Sequence, residues 1–213
     1  MSPPRIVAID GAAGSGKSTL ALALARILGL PYINTGLMYR ALARAALDHH
    51  VDLDDEEALA ALTRGLRVRL ANGTPPELEV EGYPSEVLLT DEVDAAVSRA
   101  SRHPQVRSLM REAQRALGAN GAVMEGRDIG TVVFPEADVK LFLHADPVKR
   151  EARRSEEREA AGGEVARDLR ARDAEDARVN PLVPAADAIP IDTTHATPAA
   201  TLESALAIVR ANT

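Results

Sequence analysis

The stretch Ile6-Val7-Ala8-Ile9-Asp10-Gly11-Ala12-Ala13-Gly14-Ser15-Gly16-Lys17-Ser18 decides the fold. An unbroken apolar run ends on a segment with three glycines. Ala and Leu then recur at helical spacing up to residue 28, where Gly29 closes the pattern. That order reads as a short buried strand, a tight loop and a helix. Residues 11–18 satisfy G-x-x-x-x-G-K-[ST] in the strand-then-helix setting the motif requires. Glycines let the backbone curl until successive N–H groups face phosphate oxygens. The helix that starts near Lys17 adds its positive end. Lys17 supplies a mobile cation, and Ser18 offers a hydroxyl to Mg²⁺. The loop predicts a bound nucleoside triphosphate with Mg²⁺ and leaves the reaction open. The bland alternative is a glycine-rich turn that matches the motif by chance.

Outward from the loop, strand and helix signals alternate. Residues 31–34 read as a second strand and residues 36–50 as a helix with an Ala/Leu face, followed by a short helix near 54–64. The period then changes. Leu66-Arg-Val-Arg-Leu70 and Leu78-Glu-Val-Glu alternate with period two around the turn signal Asn72-Gly-Thr-Pro-Pro, which predicts a small antiparallel insert over roughly residues 65–90. Helices follow near 91–101 and 104–118, a third strand at 122–125, a fourth at 139–144, a fifth at 188–192 and a closing helix at 198–210. Five short apolar strands interleaved with helices predict an α/β fold with a parallel sheet wound on both faces.

A chain of 213 residues suits one domain with an insertion, and 46% hydrophobic residues exclude disorder as a class. With only two Phe, three Tyr and no Trp, the core must be mostly aliphatic. A formal charge of −7 argues against nucleic-acid binding by bulk charge. The absence of Cys removes disulfides, thiolate metal sites and cysteine nucleophiles and fits a cytoplasmic chain. No secretory h-region and no apolar run of spanning length is present, so neither a signal peptide nor a membrane anchor is expected. Of the 25 basic residues, 22 are Arg and three are Lys. Residues 149–178 carry nine basic and nine acidic residues between two core strands. A solvated helical face is the plain reading of such a run, and its position suggests a hinged flap.

Two features narrow the class. No Asn-Lys-x-Asp guanine-reading motif occurs, which argues against a GTPase switch. The strand at 139–144 lacks a terminal acid, since His144 and Ala145 precede Asp146, so Asp10 and Asp128 are the acidic candidates near the metal. Arginines recur at strand ends and helix starts: Arg40 after Thr35-Gly36-Leu-Met-Tyr39, Arg107 after Pro104-Gln-Val, and Arg127 with Asp128 in Glu125-Gly-Arg-Asp-Ile-Gly-Thr131, the last at the C-terminal end of the third strand, where ligands bind in open parallel sheets. Several guanidinium groups aimed at one pocket suit a doubly charged phosphate acceptor.

Four segments together carry a family resemblance: residues 11–19, Asn34-Thr-Gly-Leu-Met-Tyr-Arg40, Glu125-Gly-Arg-Asp-Ile-Gly-Thr-Val-Val-Phe-Pro135 and Pro181-Leu-Val-Pro-Ala-Ala-Asp187. In order and spacing they resemble the bacterial cytidylate kinases, monomeric P-loop kinases of CMP and dCMP, over essentially the whole chain. The resemblance implies transfer of the ATP γ-phosphate to CMP or dCMP, with Mg²⁺, on a P-loop NTPase fold with a five-stranded parallel sheet. It implies a core at about 1–34, 119–146 and 181–213, a monophosphate-binding arm at about 35–118 carrying the insert, and a lid at about 147–178.

By the same resemblance Gly11, Ala12, Ala13, Gly14, Ser15, Gly16, Lys17, Ser18 and Thr19 bind ATP, with Arg153 and Arg154 closing over it and Arg150 a further candidate. Thr35 and Arg40 contact the acceptor nucleotide, Arg40 at its phosphate. Ser98 and Arg107 read the cytosine edge, Asp128 takes the exocyclic amino group and Arg127 the phosphate. Arg172, Asp176 and Arg178 serve phosphates and ribose, and Lys17, Arg127 and Arg153 carry the catalysis. One departure stands out: Arg172-Asp-Ala-Glu-Asp176-Ala-Arg178-Val-Asn-Pro181 is about two residues shorter than the family's spacing. Two rivals remain open. One is another small-molecule kinase, for dephospho-coenzyme A, shikimate or a different monophosphate, which would diverge at 98–131. The other is an ATP-binding regulatory protein without turnover, which would lack the acceptor arginines.

Overall fold

The expected strands form one twisted layer. In the computed structural model, which describes residues 5–160 and 182–212 and their side chains except at 154 and 157–160, β1 (Ile6–Gly11) is central and buried along its whole length. It pairs in parallel with β5 (Ala122–Gly126) on one side and β6 (Val139–His144) on the other. β2 (Tyr32–Asn34) extends the sheet beyond β5, and β7 (Ile189–Asp192) extends it beyond β6, both in parallel. These are the five strands expected.

The sheet nevertheless has seven strands, in the order β3-β4-β2-β5-β1-β6-β7. The insert is a hairpin of β3 (Val68–Ala71) and β4 (Glu77–Val80), antiparallel as expected. It does not stand apart. β4 runs parallel to β2 through Tyr32 and Glu77, and the Tyr32 N–H donates to the Pro76 carbonyl at 2.8 Å. Without the hairpin, β2 would be an edge strand with unpaired backbone groups, and docking the insert there satisfies them. The correction is thus from five strands to seven.

The helices are α1 (Lys17–Leu28), α2 (Thr35–Asp48), α3 (Glu56–Gly65), α4 (Ser85–Leu88), α5 (Asp91–Ser101), α6 (Pro104–Gly118), α7 (Pro147–Ala160) and α8 (Pro198–Ala211), and all but α4 follow the sequence signals closely. Their starts have local causes. The Asp55 carboxylate accepts from Ala58 N–H at 3.0 Å, the Thr90 hydroxyl from Val93 N–H and the Thr197 hydroxyl from Ala200 N–H, while α6 opens on a proline. The sequence signals did not show α4, nor the π-helical turn at Ile129–Val133.

Strand alternation sorts the chemistry. Val7, Ile9 and Val123 face α1 and α8 in one aliphatic core with Leu20, Leu24 and Val209. Ile6, Ala8, Ile33, Ala122 and Met124 face the other side, where Ile129, Val133 and Phe134 of the π-turn segment cover them. A further core joins Met38 and Leu42 of α2, Leu59 of α3, Val93 of α5 and Met110 of α6. The period of two therefore points Glu125 toward α1, with Ile9 and Val123, and points Asp10 toward the π-turn, with Ala8.

Candidate active site

The phosphate loop runs from Gly11 to the first turn of α1. Gly14 and Gly16 both hold positive φ (71° and 88°), as the curled backbone requires. A Cβ on Gly14 would lie 2.6 Å from the Arg150 carbonyl, so this glycine is also fixed by the close approach of α7. α1 carries no acidic side chain of its own in its first turn, so nothing within the helix offsets its positive end. The Lys17 ammonium donates to the Ala12 carbonyl at 2.7 Å, across the loop. Ser18 and Thr19 are exposed at the helix start.

Behind Ser18 stands a residue the sequence reading passed over. Ser18 Oγ donates to Glu125 Oε2 at 3.0 Å, and Glu125 Oε1 accepts from the Tyr32 hydroxyl at 2.5 Å. Glu125 is buried, and Asn34 Nδ2 donates to the Tyr32 oxygen at 3.4 Å. Burial, and then the Glu125 charge, push the Tyr32 hydroxyl well above its usual range, so it remains a donor. The expected place for an acid is the end of β6, whereas β5 also adjoins β1 and its last side chain before Gly126 is a carboxylate. The available signal was a lone Glu closing the apolar run Ala122-Val-Met.

The two acids expected near the metal are engaged elsewhere. Asp10 accepts from the Ile129 and Gly130 N–H groups at 2.8 and 2.7 Å. Asp128 Oδ2 accepts from Arg107 at 2.8 Å and from Arg111 at 3.4 Å. Among the described residues no group of three or more His, Cys, Asp and Glu could hold a metal ion. A hydroxyl backed by a buried carboxylate does fit a Mg²⁺ that arrives on phosphates, since that ion needs few protein ligands.

The acceptor-side residues are brought together in part. Asp128 and Arg107 form a half-buried ion pair at the C-terminal end of the sheet, with Arg107 stacked over the Tyr39 ring at 5.9 Å. Arg111, one turn along α6, joins them and was not anticipated. Thr35 Oγ1 donates to the Glu125 carbonyl at 2.8 Å, which locks α2 to β5. Gly126 must be small there, because a Cβ would lie 2.7 Å from both Thr35 Oγ1 and Ile129 Cδ1. Arg127 follows, half-buried. Arg40 donates to the Leu88 carbonyl at 3.0 Å and pairs with Asp94, and Ser98 is buried on α5, so both lie within the segment between β2 and β5.

On the flap side, Arg153 donates to the Thr193 carbonyl and hydroxyl oxygens, and the Thr193 hydroxyl donates to the Ser15 carbonyl of the phosphate loop at 2.9 Å. Arg150 donates to the Ala13 carbonyl at 3.1 Å. Thr193, just past β7, is a linking residue that the sequence reading did not single out. The Arg154 side chain, Arg172, Asp176 and Arg178 lie outside the described residues, as does most of the expected lid.

Comparison with known proteins bears on the whole of this arrangement. A sequence profile of the cytidylate kinase family matches residues 7–211. A cytidylate kinase of Desulfitobacterium hafniense (strain Y51) is 45% identical over 197 residues, covering 88% of this chain and 85% of its own. That of Roseiflexus castenholzii (strain DSM 13941 / HLO8) is 42% identical over 207 residues, covering 90% and 87%. That of Geobacillus sp. (strain WCH70) is 44% identical over 198 residues, covering 88% of each. The match starts on β1, ends on α8 and takes in the phosphate loop, the Glu125–Asp128 segment and the strands that carry them, and by it the chain belongs to the cytidylate kinase family.

Proposed function

We propose that this protein transfers the γ-phosphate of ATP to CMP, and to dCMP, giving ADP and the corresponding diphosphate. Family membership supports the reaction. The observation that carries the acceptor is the ion pair of Asp128 and Arg107 beside the phosphate loop. A carboxylate accepts and a guanidinium donates, and the cytosine edge presents an amino donor beside a ring-nitrogen acceptor. Uracil reverses both polarities. Adenine keeps them on a larger ring, so AMP is the informative competitor.

In this reading the acceptor's phosphate oxygen is the nucleophile. A monoester has its second pKa near 6, so it is largely ionised at neutral pH and no general base is needed. Catalysis rests on alignment and charge neutralisation. Lys17 follows the transferring group, Arg127 and Arg40 hold the acceptor phosphate, and Arg153 meets the donor phosphates from α7. Mg²⁺ on the donor would be held by Ser18, with Glu125 fixing that hydroxyl, and would supply further positive charge. The segment 35–118 serves as the monophosphate arm and 147–178 as the lid. No helix among the described residues is long and apolar enough to cross a membrane. The proposal extends to a cytoplasmic monomer that takes small nucleotides and neither nucleic acid nor lipid.

The test is Lys17→Ala. With Mg-ATP and CMP, ADP release should fall by at least about a thousandfold while circular dichroism and the melting transition stay as in the parent. A variant that turns over within about tenfold of the parent would remove the phosphate loop from the reaction.

A further inference from the structure

Asp10 is the last residue before the phosphate loop, and it is buried despite its charge. A buried carboxylate is costly unless both oxygens are engaged. Here each oxygen takes one N–H: Oδ1 that of Ile129 and Oδ2 that of Gly130. These are the two residues that follow Asp128. Strand pairing brings Asp10 beside Gly126, on the near side of Arg127 and Asp128. The carboxylate thus clasps the far side of the same short loop that carries the proposed acceptor-reading pair. The fit is close, because a Cβ on Gly130 would lie 3.3 Å from Asp10 Oδ2 and 3.2 Å from Lys140 Cδ.

The surroundings agree. Burial raises the Asp10 carboxyl above its ordinary pKa, the two N–H bonds pull it back, Asp128 raises it further and Lys17 lowers it. The side chain therefore lies within electrostatic reach of the donor lysine on one side and of the acceptor-side aspartate on the other. An amide or hydroxyl could satisfy one of the two N–H groups, whereas a carboxylate offers an acceptor to each.

We propose that Asp10 is a positioning residue for acceptor recognition, holding Arg127 and Asp128 in fixed register with the phosphate loop so that donor and acceptor share one rigid frame. This inference rests on the CMP kinase reading. It differs from a plain capping role, in which Asp10 only satisfies two N–H groups and its loss weakens the whole fold evenly.

The experiment compares the parent with Asp10→Asn and Gly130→Ala. The amide keeps the shape of the side chain but turns an NH₂ toward one N–H. The alanine leaves Asp10 intact and presses a methyl group against it. In both variants Mg-ATP affinity by calorimetry should stay within about twofold, while in Asp10→Asn kcat/KM for CMP falls roughly 10- to 100-fold, since a displacement of about 1 Å can cost that much. The preference for CMP over UMP should narrow by about tenfold, because a mispositioned Asp128 discriminates less. Gly130→Ala should move the same way by less. If Asp10→Asn does not fold, Gly130→Ala decides by the same readouts. Unchanged kcat/KM and preference overturn the proposal. So does equal weakening toward ATP and CMP at a constant CMP-to-UMP ratio, which is the signature of a merely structural role. A parent protein with no CMP turnover is seen before any variant is compared, and it overturns the functional reading together with this inference.

Discussion

Two buried acids meet opposite demands at neighbouring strand ends. Glu125 leaves the sheet toward α1 and spends its oxygens on the Tyr32 and Ser18 hydroxyls. Asp10 leaves toward the π-turn and takes backbone N–H groups. The first arrangement holds the Ser18 hydroxyl, proposed to meet a cation, and the second holds the backbone that carries the Asp128–Arg107 pair, proposed to read the acceptor. Replacing Glu125 by Gln tests the first. The amide can still accept one hydroxyl but loses the charge that orients Ser18. The Mg²⁺ concentration for half-maximal activity should rise by about tenfold or more, as for other groups that orient a metal ligand, with the KM for CMP unchanged. An unaltered Mg²⁺ dependence would mean that Glu125 serves only the packing of β5.

Buried polar side chains pin elements to one another. Lys140 leaves β6 on the π-turn side, and its buried ammonium donates to the Pro135 carbonyl and to both oxygens of Asp187. One side chain therefore ties the end of the segment that follows Asp128 to the stretch that leads into β7. The hydrogen bond from Lys140 holds the Asp187 carboxyl below the ordinary carboxylate value of 3.8. For an acid with a lowered folded pKa, the stabilisation is complete above the unfolded value and fades as pH drops through the folded one. Asp187→Asn should melt slightly below the parent at pH 7, the effect being small because the carboxylate is exposed and screened, and the gap should close as pH falls below 3.8. Melting curves recorded across that range give the answer, and a gap independent of pH would show that the pair contributes no electrostatic stabilisation.

At the scale of the whole molecule, what was legible in the sequence is what local chemistry dictates. The phosphate loop, the four other parallel strands and most helices follow from apolar period, glycine turns and caps, and their observed ends lie within a residue or two of the expected ones. What was not legible depends on which strands become neighbours. Nothing local to Leu78-Glu-Val-Glu says that β4 docks on β2 and lengthens the sheet. Nothing local to Glu125 says that Ser18, 107 positions away, lies against it. Asp10 is a metal candidate in the sequence because the 139–144 strand ends without an acid, and only the π-turn, invisible to periodicity, shows that its oxygens take the Ile129 and Gly130 N–H groups. Within the candidate site, Asp128 and Arg107 were named from the sequence and do meet. Arg111 and Thr193 were not, since neither lies in a recognisable motif. Arg172, Asp176 and Arg178 fall outside the described residues.

The central claim is that a carboxylate–guanidinium pair beside the phosphate loop selects the cytosine edge of the acceptor. Its most direct test is ADP release from Mg-ATP with CMP, dCMP, UMP, AMP, GMP and no acceptor offered in turn to the purified protein. Rapid turnover with CMP and dCMP, a kcat/KM for UMP lower by about a hundredfold or more as expected when buried polar groups meet the wrong polarity, and little with AMP or GMP is the predicted result. Equal turnover with CMP and UMP, or a preference for AMP, would contradict it.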